Sequence, residues 1–196
     1  MAIGDTRRAL QAAQVALTAG GIAVLGYCAL AWADAERFQT VTARQFAAQY
    51  LGGPGSSTLH APRMLPVDGE PMARLEIPRL GVSVVVVEGV AGGDLRRAIG
   101  HIPGTAFPWQ SGNVGIAGHR DTFFRCLRSI RRNDVITLTT LEKVYRYRVI
   151  STDVVHPCDV EVLAPGGNDS LTLVTCFPFY FVGSAPQRFI VRANRG

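Results

Sequence analysis

Three side chains lie at the ends of strand-like segments, where the chain leaves regular structure. Cys176 closes an alternating apolar segment and is followed by Phe177-Pro178, which must leave the strand. His119 also ends a strand-like segment, and Arg188 stands at the start of the last one. Functional side chains are often carried where a rigid element meets a loop. These three residues are therefore the first candidates for chemistry.

Together the three residue types could carry out acyl transfer. A cysteine thiolate is a nucleophile, and nearby positive charge favours it over the thiol. Histidine can hand a proton to a leaving amine, and arginine, which stays protonated, could stabilise an oxyanion or hold a carbonyl. Cys176, His119 and Arg188 would form a set that needs no carboxylate. Each also has an ordinary structural explanation, and spacing alone leaves both open.

The part of the chain that carries these three residues is predicted to consist mostly of β-strands. Two short helices are predicted at 93–99 and 122–132, the second from apolar residues spaced at i, i+4 and i+7. Roughly six to eight strands with two short helices predict an all-β fold, a barrel or a sandwich. The predicted strands, from β-branched or alternating apolar patterns, are 73–77, 82–87, 114–117, 135–140, 145–152, 171–176 and 189–193.

The N-terminal region predicts a membrane anchor. Residues 9–33 carry no charge, and about 20 apolar residues in a helix can cross a bilayer. The preceding pair Arg7-Arg8 predicts a cytoplasmic N-terminus, which places the rest of the chain outside the cytoplasm. Tyr27 and Trp32 suit the interfacial aromatic belt. The tripeptide at 31–33 is an A-x-A pattern, so a cleaved signal peptide is an alternative, as is a buried soluble helix.

The sequence divides into three predicted regions. Residues 1–34 form the anchor. A short juxtamembrane helix at 35–51 and a spacer rich in glycine, proline and serine make up 35–71. Residues 72–196 form the β-rich domain.

Composition excludes several classes of protein. Apolar residues make up 47% and charged residues 18% of the 196, so the chain can build a core. From residue 73 onward, 15 Lys+Arg and 10 Asp+Glu are interspersed. The only basic doublets there are Arg96-Arg97 and Arg131-Arg132, and this scatter of both signs argues against nucleic-acid binding.

The four cysteines form no Cys-x-x-Cys pair, so the zinc and thioredoxin signatures are absent. Cys28 lies in the apolar run. Cys126 and Cys158 are either passive or joined by a disulfide in an oxidising compartment. Nothing in the sequence tests whether the two are close.

Three motifs in register resemble the sortase signature. They are Val-Gly-Ile-Ala-Gly-His-Arg-Asp at 114–121, Leu-Thr-Leu-Val-Thr-Cys at 171–176 and Pro-Gln-Arg-Phe-Ile-Val at 186–191. The stretch from Cys176 to Arg188 most resembles class D sortases, which share the same cysteine-to-arginine gap. The similarity covers about 72–195, including the Ile77-Pro78 segment. The anchor and spacer also resemble the family's layout.

The resemblance implies a closed eight-stranded β-barrel and a cysteine transpeptidase. Sortases cut a sorting signal of the Leu-Pro-x-Thr-Gly type after threonine. By that analogy Cys176 attacks the threonine carbonyl and forms a thioacyl-enzyme. His119 protonates the leaving amine, and Arg188 holds the substrate and stabilises the oxyanion. Thr175 and Phe177 are expected to bind substrate, although the aromatics that follow Cys176 could equally be core.

The resemblance implies no cofactor and no metal that catalysis requires. Some sortases bind calcium, for which Asp153, Asp159 and Glu161 are candidates in type only; surface charge on a loop also explains them. The implied partners are surface proteins that carry a sorting signal, an amine acceptor and the membrane.

Other functions stay open at this point. An L,D-transpeptidase also uses cysteine, but its Ser-His-Gly-Cys run is missing here because Thr175 precedes Cys176. A catalytically inactive anchored β-domain could act as a scaffold. A hydrolytic cysteine protease would share the first half-reaction and finish it with water.

Overall fold

The computed structural model describes residues 2–51, 65–181 and 183–196. They belong to two units, Met1–Phe38 and Gln39–Gly196. A single helix, α1, runs over Ala2–Leu51. Within it the stretch Arg7–Gln45 has a mean hydropathy of 1.8 in its most apolar window and is long enough to cross a membrane.

The predicted anchor and the predicted juxtamembrane helix both lie within α1. The residues at 34–37 are charged or alanine and include neither proline nor glycine, so nothing ends the helix there. Of the predicted spacer, residues 52–64 lie outside the described part of the chain, and the first strand begins at Pro71.

Eight strands close into one barrel, which confirms the predicted fold. The order around the barrel is β1-β2-β3-β4-β7-β8-β6-β5. The strands are β1 Pro71–Ile77, β2 Val82–Glu88, β3 Ile99–His101, β4 Asn113–Ala117, β5 Val135–Thr139, β6 Val144–Val155, β7 Ser170–Phe177 and β8 Gln187–Arg195.

The helical segments between the strands are short. Helix α2 covers Gly92–Leu95, and three 3-10 helices are η1 Pro78–Leu80, η2 Arg125–Ser129 and η3 Val160–Leu163. The helix predicted at 93–99 therefore ends early, and its last residue opens β3, a strand that the sequence pattern missed. The helix predicted at 122–132 is only the 3-10 helix η2.

Inward side chains fill the barrel with apolar residues, as the period of two predicts. Leu75 on β1, Val86 on β2, Ile116 on β4 and Leu171 and Leu173 on β7 are all buried in one cluster. Burial of such side chains stabilises the fold by about 1.5–3 kcal/mol each.

The directions of pairing decide which loops share a barrel end. β4 runs parallel to β7, and β7 runs antiparallel to β8. β2 runs parallel to β3, which runs antiparallel to β4. The ends of β4 and β7, the start of β8 and the β1–β2 turn therefore lie at one end of the barrel, called here the Cys176 end.

Candidate active site

Cys176 and Arg188 are direct neighbours across two strands. Near the end of β7 and the start of β8, the antiparallel register sets Cys176 opposite Arg188. Residues opposite one another in such a ladder have Cα atoms about 4.5–5.5 Å apart and side chains on the same face. Both side chains are half-buried. The thiol and the guanidinium therefore lie on the same face of the β7–β8 sheet.

His119 lies at the same level on the other side of β7. The parallel ladder pairs Ala117 of β4 with Val174 of β7. Gly118 extends this ladder by donating its N–H to the Val174 carbonyl at 3.1 Å. Two residues beyond Ala117 and Val174, the two chains reach His119 and Cys176. The register thus places His119, just beyond the end of β4, at the level of Cys176 and Arg188, and these three residues are called here the Cys–His–Arg row.

The chain before His119 is held by close packing. A Cβ atom on Gly118 would lie 2.7 Å from Cδ2 of Phe124 and 2.9 Å from Cγ2 of Ile99, so no larger residue fits without movement. The buried Thr175 hydroxyl donates to the Gly118 carbonyl at 2.7 Å. Gly118, which precedes His119, is therefore hydrogen-bonded to Thr175, which precedes Cys176.

One nitrogen of the Arg188 guanidinium is hydrogen-bonded to backbone carbonyls near the start of β8. Its Nη1 donates to the carbonyls of Ala185 at 3.2 Å and of Gln187 at 3.0 Å. These are the only hydrogen bonds of this side chain to the described residues, so its other N–H groups remain available to a ligand. An anionic oxygen that develops beside Cys176 could accept from them.

Arg120 connects the end of β4 to the β7–β8 loop. Its Nη2 donates to the carbonyls of Phe181 at 2.5 Å and of Gly183 at 3.0 Å. Its guanidinium carbon also lies 5.9 Å from the centre of the Phe181 ring. The residue next to His119 thus fixes part of the loop that follows Cys176.

A short strip of small side chains runs along the barrel wall from the Cys–His–Arg row. Ala117 and Val174 pair side by side there and are half-buried. Further along, Leu163 of η3 packs so closely on β4 that a Cβ on Gly115 would lie 3.2 Å from its Cδ2. The strip therefore extends from η3 at one end to the Cys–His–Arg row at the other.

Side-chain hydrogen bonds hold η3 against this wall. Asn113 donates through Nδ2 to the carbonyls of Val162 at 3.3 Å and of Ala164 at 3.4 Å. Thr172 in turn donates its hydroxyl to Oδ1 of Asn113 at 2.9 Å. The segment before β7 is thus anchored to the strands that carry the row.

The two residues expected to bind substrate lie on the other face of β7. The Thr175 side chain is buried and bonded to Gly118. Phe177 packs in an aromatic cluster, with ring centres 6.0 Å from Phe179 and 6.3 Å from Phe189. Direct contact of either side chain with a substrate stays a prediction, whereas their support of the strand end is a feature of the fold.

The acidic residues considered for calcium are not brought together. Asp153 pairs with Arg192 at 3.6 Å, and Asp159 accepts the N–H of His156 at 2.8 Å. Glu161 lies in η3. Across the described ranges, no group of three or more His, Cys, Asp or Glu side chains could hold a metal ion.

The remaining cysteines are free thiols, Cys126 and Cys158 included, so the disulfide left open by the sequence is not formed. Burial raises the pKa of the Cys126 thiol. This thiol therefore stays protonated and unreactive at neutral pH.

Sequence reasoning missed Arg120, Gly118 and Asn113 as parts of the site. Arg120 and Gly118 flank His119 directly, and a glycine at the end of a strand signals close backbone approach. Asn113 begins β4, and only the long-range contact with η3 gives it a role.

Comparisons with known proteins agree with this geometry. The sortase domain family model matches residues 75–196. Sortase D of Bacillus subtilis is 29% identical over 188 residues, which cover 91% of this chain and 95% of the relative. The sortase SrtE1 of Streptomyces coelicolor is 34% identical over 129 residues, which cover 56% of this chain and 37% of that one.

Solved structures of sortases share the barrel. The sortase D5 transpeptidase of Clostridium perfringens superposes with a TM-score of 0.66 at 26% identity, over 84% of this chain and 99% of the other. Sortase E1 of Streptomyces coelicolor, solved with a tripeptide in its active site, gives 0.61 at 30% identity, over 67% and 91%. With the family model covering more than half of its length, this chain belongs to the sortase family.

Proposed function

We propose that this chain is a membrane-anchored transpeptidase that cleaves a sorting signal of the Leu-Pro-x-Thr-Gly type and joins it to an amine. Sortases as a family are cysteine transpeptidases. The observation that carries the proposal here is the register that sets Cys176 opposite Arg188. The strip formed by Ala117 and Val174 supports binding of an extended peptide beside the thiol.

In the first half-reaction the Cys176 thiolate attacks the carbonyl carbon of the substrate threonine. The carbonyl oxygen becomes an oxyanion, which the free N–H groups of Arg188 stabilise. His119 donates a proton to the nitrogen of the leaving glycine as the C–N bond breaks. A thioacyl-enzyme remains, and the glycine fragment departs as a neutral amine.

In the second half-reaction an acceptor amine attacks the thioacyl carbonyl. His119, now neutral, takes the proton of the amine, and the C–S bond breaks as the thiolate leaves. Thr175 acts in both steps as a positioning residue, because its bond to Gly118 keeps the chains of Cys176 and His119 at one level. Phe177 supports the strand end from its aromatic cluster.

The long apolar helix supports anchoring in the membrane. The arginine pair at its N-terminal end favours a cytoplasmic N-terminus, which would expose the barrel outside the cell membrane. Sorting-signal proteins and amine acceptors at the cell surface are the partners that this arrangement would serve.

The test uses the full chain in detergent micelles with a fluorogenic Leu-Pro-x-Thr-Gly peptide library, with and without triglycine. Mass spectrometry follows the products and the enzyme. We expect cleavage after threonine, a thioacyl adduct on Cys176 and a threonine–triglycine product. The Cys176→Ala variant is expected to give none of these, whereas a Cys158→Ala variant, which alters an exposed thiol, keeps all three.

Two outcomes would contradict the proposal. Cleavage that never yields the triglycine adduct would indicate a hydrolytic protease. Absence of both cleavage and adduct across the library, in an enzyme shown to be folded, would indicate a scaffold.

A further inference from the structure

A cavity of about 430 Å³ opens at the Cys176 end of the barrel. One wall is the β1–β2 turn with the start of β2, and the other is the segment that follows His119 and continues into η2. It is called here the arginine cavity. Its polar and aromatic lining includes Ser83, Thr122, Phe123, Arg125, Cys126 and Arg128.

The lining of the cavity carries two positive charges and no acidic side chain. Arg125 and Arg128 are three residues apart on η2, and a 3-10 helix has three residues per turn, so both project from one side. Both are exposed. In the described part of the chain neither forms an ion pair, and no acidic residue lines the cavity.

The cavity thiol adds no compensating charge. Burial raises the pKa of Cys126, so this side chain is neutral at physiological pH. A ligand that suits the arginine cavity is therefore an anion, and a carboxylate fits the planar donor fork of arginine.

The cavity lies within reach of the Cys–His–Arg row. Thr122, which lines it, is three residues after His119. Three residues span at most about 11 Å, so the Cα atoms of Thr122 and His119 lie within that distance. The segment from His119 to Phe124, which contains Thr122, is also folded back, because the Phe124 N–H donates to the His119 carbonyl at 3.1 Å. A short peptide could reach from one to the other.

We propose that the arginine cavity binds the carboxylate of the acceptor, so that the acceptor is a short amino-acid or peptide ligand bearing both an amine and a free carboxylate. The inference deepens the proposed function and rests on it. The acceptor nitrogen attacks the thioacyl carbonyl, a C–N bond forms, the C–S bond breaks and its electron pair returns to Cys176. His119 receives the proton of the amine. The carboxylate is not consumed and serves only to hold the acceptor.

The test compares two acceptors that differ only in that group, triglycine and triglycine amide, with the full chain in micelles and saturating donor peptide. We expect the wild type to show a lower KM for triglycine than for its amide. An Arg125→Gln, Arg128→Gln double variant is expected to raise the KM for triglycine about tenfold and bring the ratio of the two KM values close to one. Added salt should raise the triglycine KM more than the amide KM.

The matched control is an Arg131→Gln, Arg132→Gln double variant, which removes the same charge from exposed residues just beyond η2. It is expected to keep the wild-type ratio of KM values. Equal KM values for both acceptors in the wild type would overturn the inference. So would a wild-type ratio in the Arg125, Arg128 variant, or an equal loss in the control, which would point to long-range charge alone.

A binding experiment separates failure of this inference from failure of the proposed function. Saturation-transfer NMR with triglycine and the full-length Cys176→Ala variant needs no turnover. A signal that is lost when Arg125 and Arg128 are also replaced by Gln supports the cavity, even if no transfer product ever forms. No signal, or one that survives those replacements, overturns it.

Discussion

Cys176 and Arg188 oppose one another in the antiparallel ladder of β7 and β8, so the thiol and the guanidinium share one face of the sheet. Backbone hydrogen bonds between the two strands keep Cys176 and Arg188 opposite one another. Replacing either side chain therefore leaves the other in its place. A loss of activity on substitution can then be assigned to the missing group.

Arg188→Lys is expected to reduce the kcat/KM of acylation by about 10²–10³-fold. Lysine keeps the charge but lacks the planar set of donors that can hold a loop carbonyl and an oxyanion together. The measurement is the rate of release of the glycine-bearing fragment. Arg192→Lys, an exposed substitution on the same strand, is the control and is expected to keep activity. Equal activity of both variants would exclude Arg188 from the transition state.

His119→Gln is expected to slow acylation by an amide substrate about 10²–10⁴-fold, because the leaving amine must be protonated. A substrate with an ester in place of the threonine–glycine amide releases an alkoxide-type group that depends less on this proton. We expect the variant to lose much less activity on the ester. Equal losses on ester and amide would instead indicate that His119 acts on the thiol or on binding.

The strand ends could be predicted from the sequence because alternation is a local property. The segment predicted at 171–176 is the core of β7, observed at Ser170–Phe177. Alternation alone also places Leu171, Leu173 and Thr175 on one face and Cys176 on the other. The alternating pattern therefore predicts that Thr175 points inward, whereas the resemblance to sortases implies that it contacts the substrate.

Other features depend on contacts between distant residues. The parallel pairing of β4 with β7 joins Ala117 to Val174, and no local pattern reveals which strands become neighbours. β3 contains three residues, Ile99–His101, too few to show a period. The hydrogen bond from Arg120 to the Phe181 carbonyl depends on the conformation of the β7–β8 loop, which the residue types alone do not determine.

Arg120→Ala is expected to raise the KM for the donor peptide about five- to tenfold, with a smaller effect on kcat. The change removes two charge-assisted hydrogen bonds that hold the β7–β8 loop at the carbonyls of Phe181 and Gly183. Arg120→Lys, which can keep one of these bonds, should recover part of the loss. Steady-state kinetics test this, with Arg132→Ala as an exposed control. A fall in kcat alone would indicate a direct role in the chemistry.

Gly118→Ala is expected to destabilise the barrel by about 1–3 kcal/mol, because the added methyl group would overlap Phe124 and Ile99. Thermal unfolding should show a melting temperature lower by several degrees. Activity is expected to fall further than stability explains, since Gly118 precedes His119. Gly167→Ala is the control, because a Cβ there has no neighbour within 4 Å. Equal melting temperatures for the two variants would contradict the packing argument.

Arg79 is expected to make the stability of the barrel depend on pH. Its Nε and Nη2 donate to the two carboxylate oxygens of Asp134, each at 2.5 Å. These hydrogen bonds, together with that from the Arg131 N–H, hold the pKa of Asp134 below its usual value. Because the pKa is lower in the folded state, the stabilisation is complete above the unfolded pKa of about 3.9. It is lost as the pH falls through the folded value.

Arg79→Gln removes the largest cause of this shift and is expected to lower the melting temperature at pH 6–7. The difference from wild type should shrink below about pH 4 and disappear in stronger acid, where Asp134 is protonated in both proteins. Melting curves across this range test the expectation. Arg74→Gln is the control, because its pair with Glu76 is longer, at 3.6 Å, and both side chains are about a third exposed. A difference that stays constant at every pH would show that Arg79 stabilises by packing rather than through the charge of Asp134.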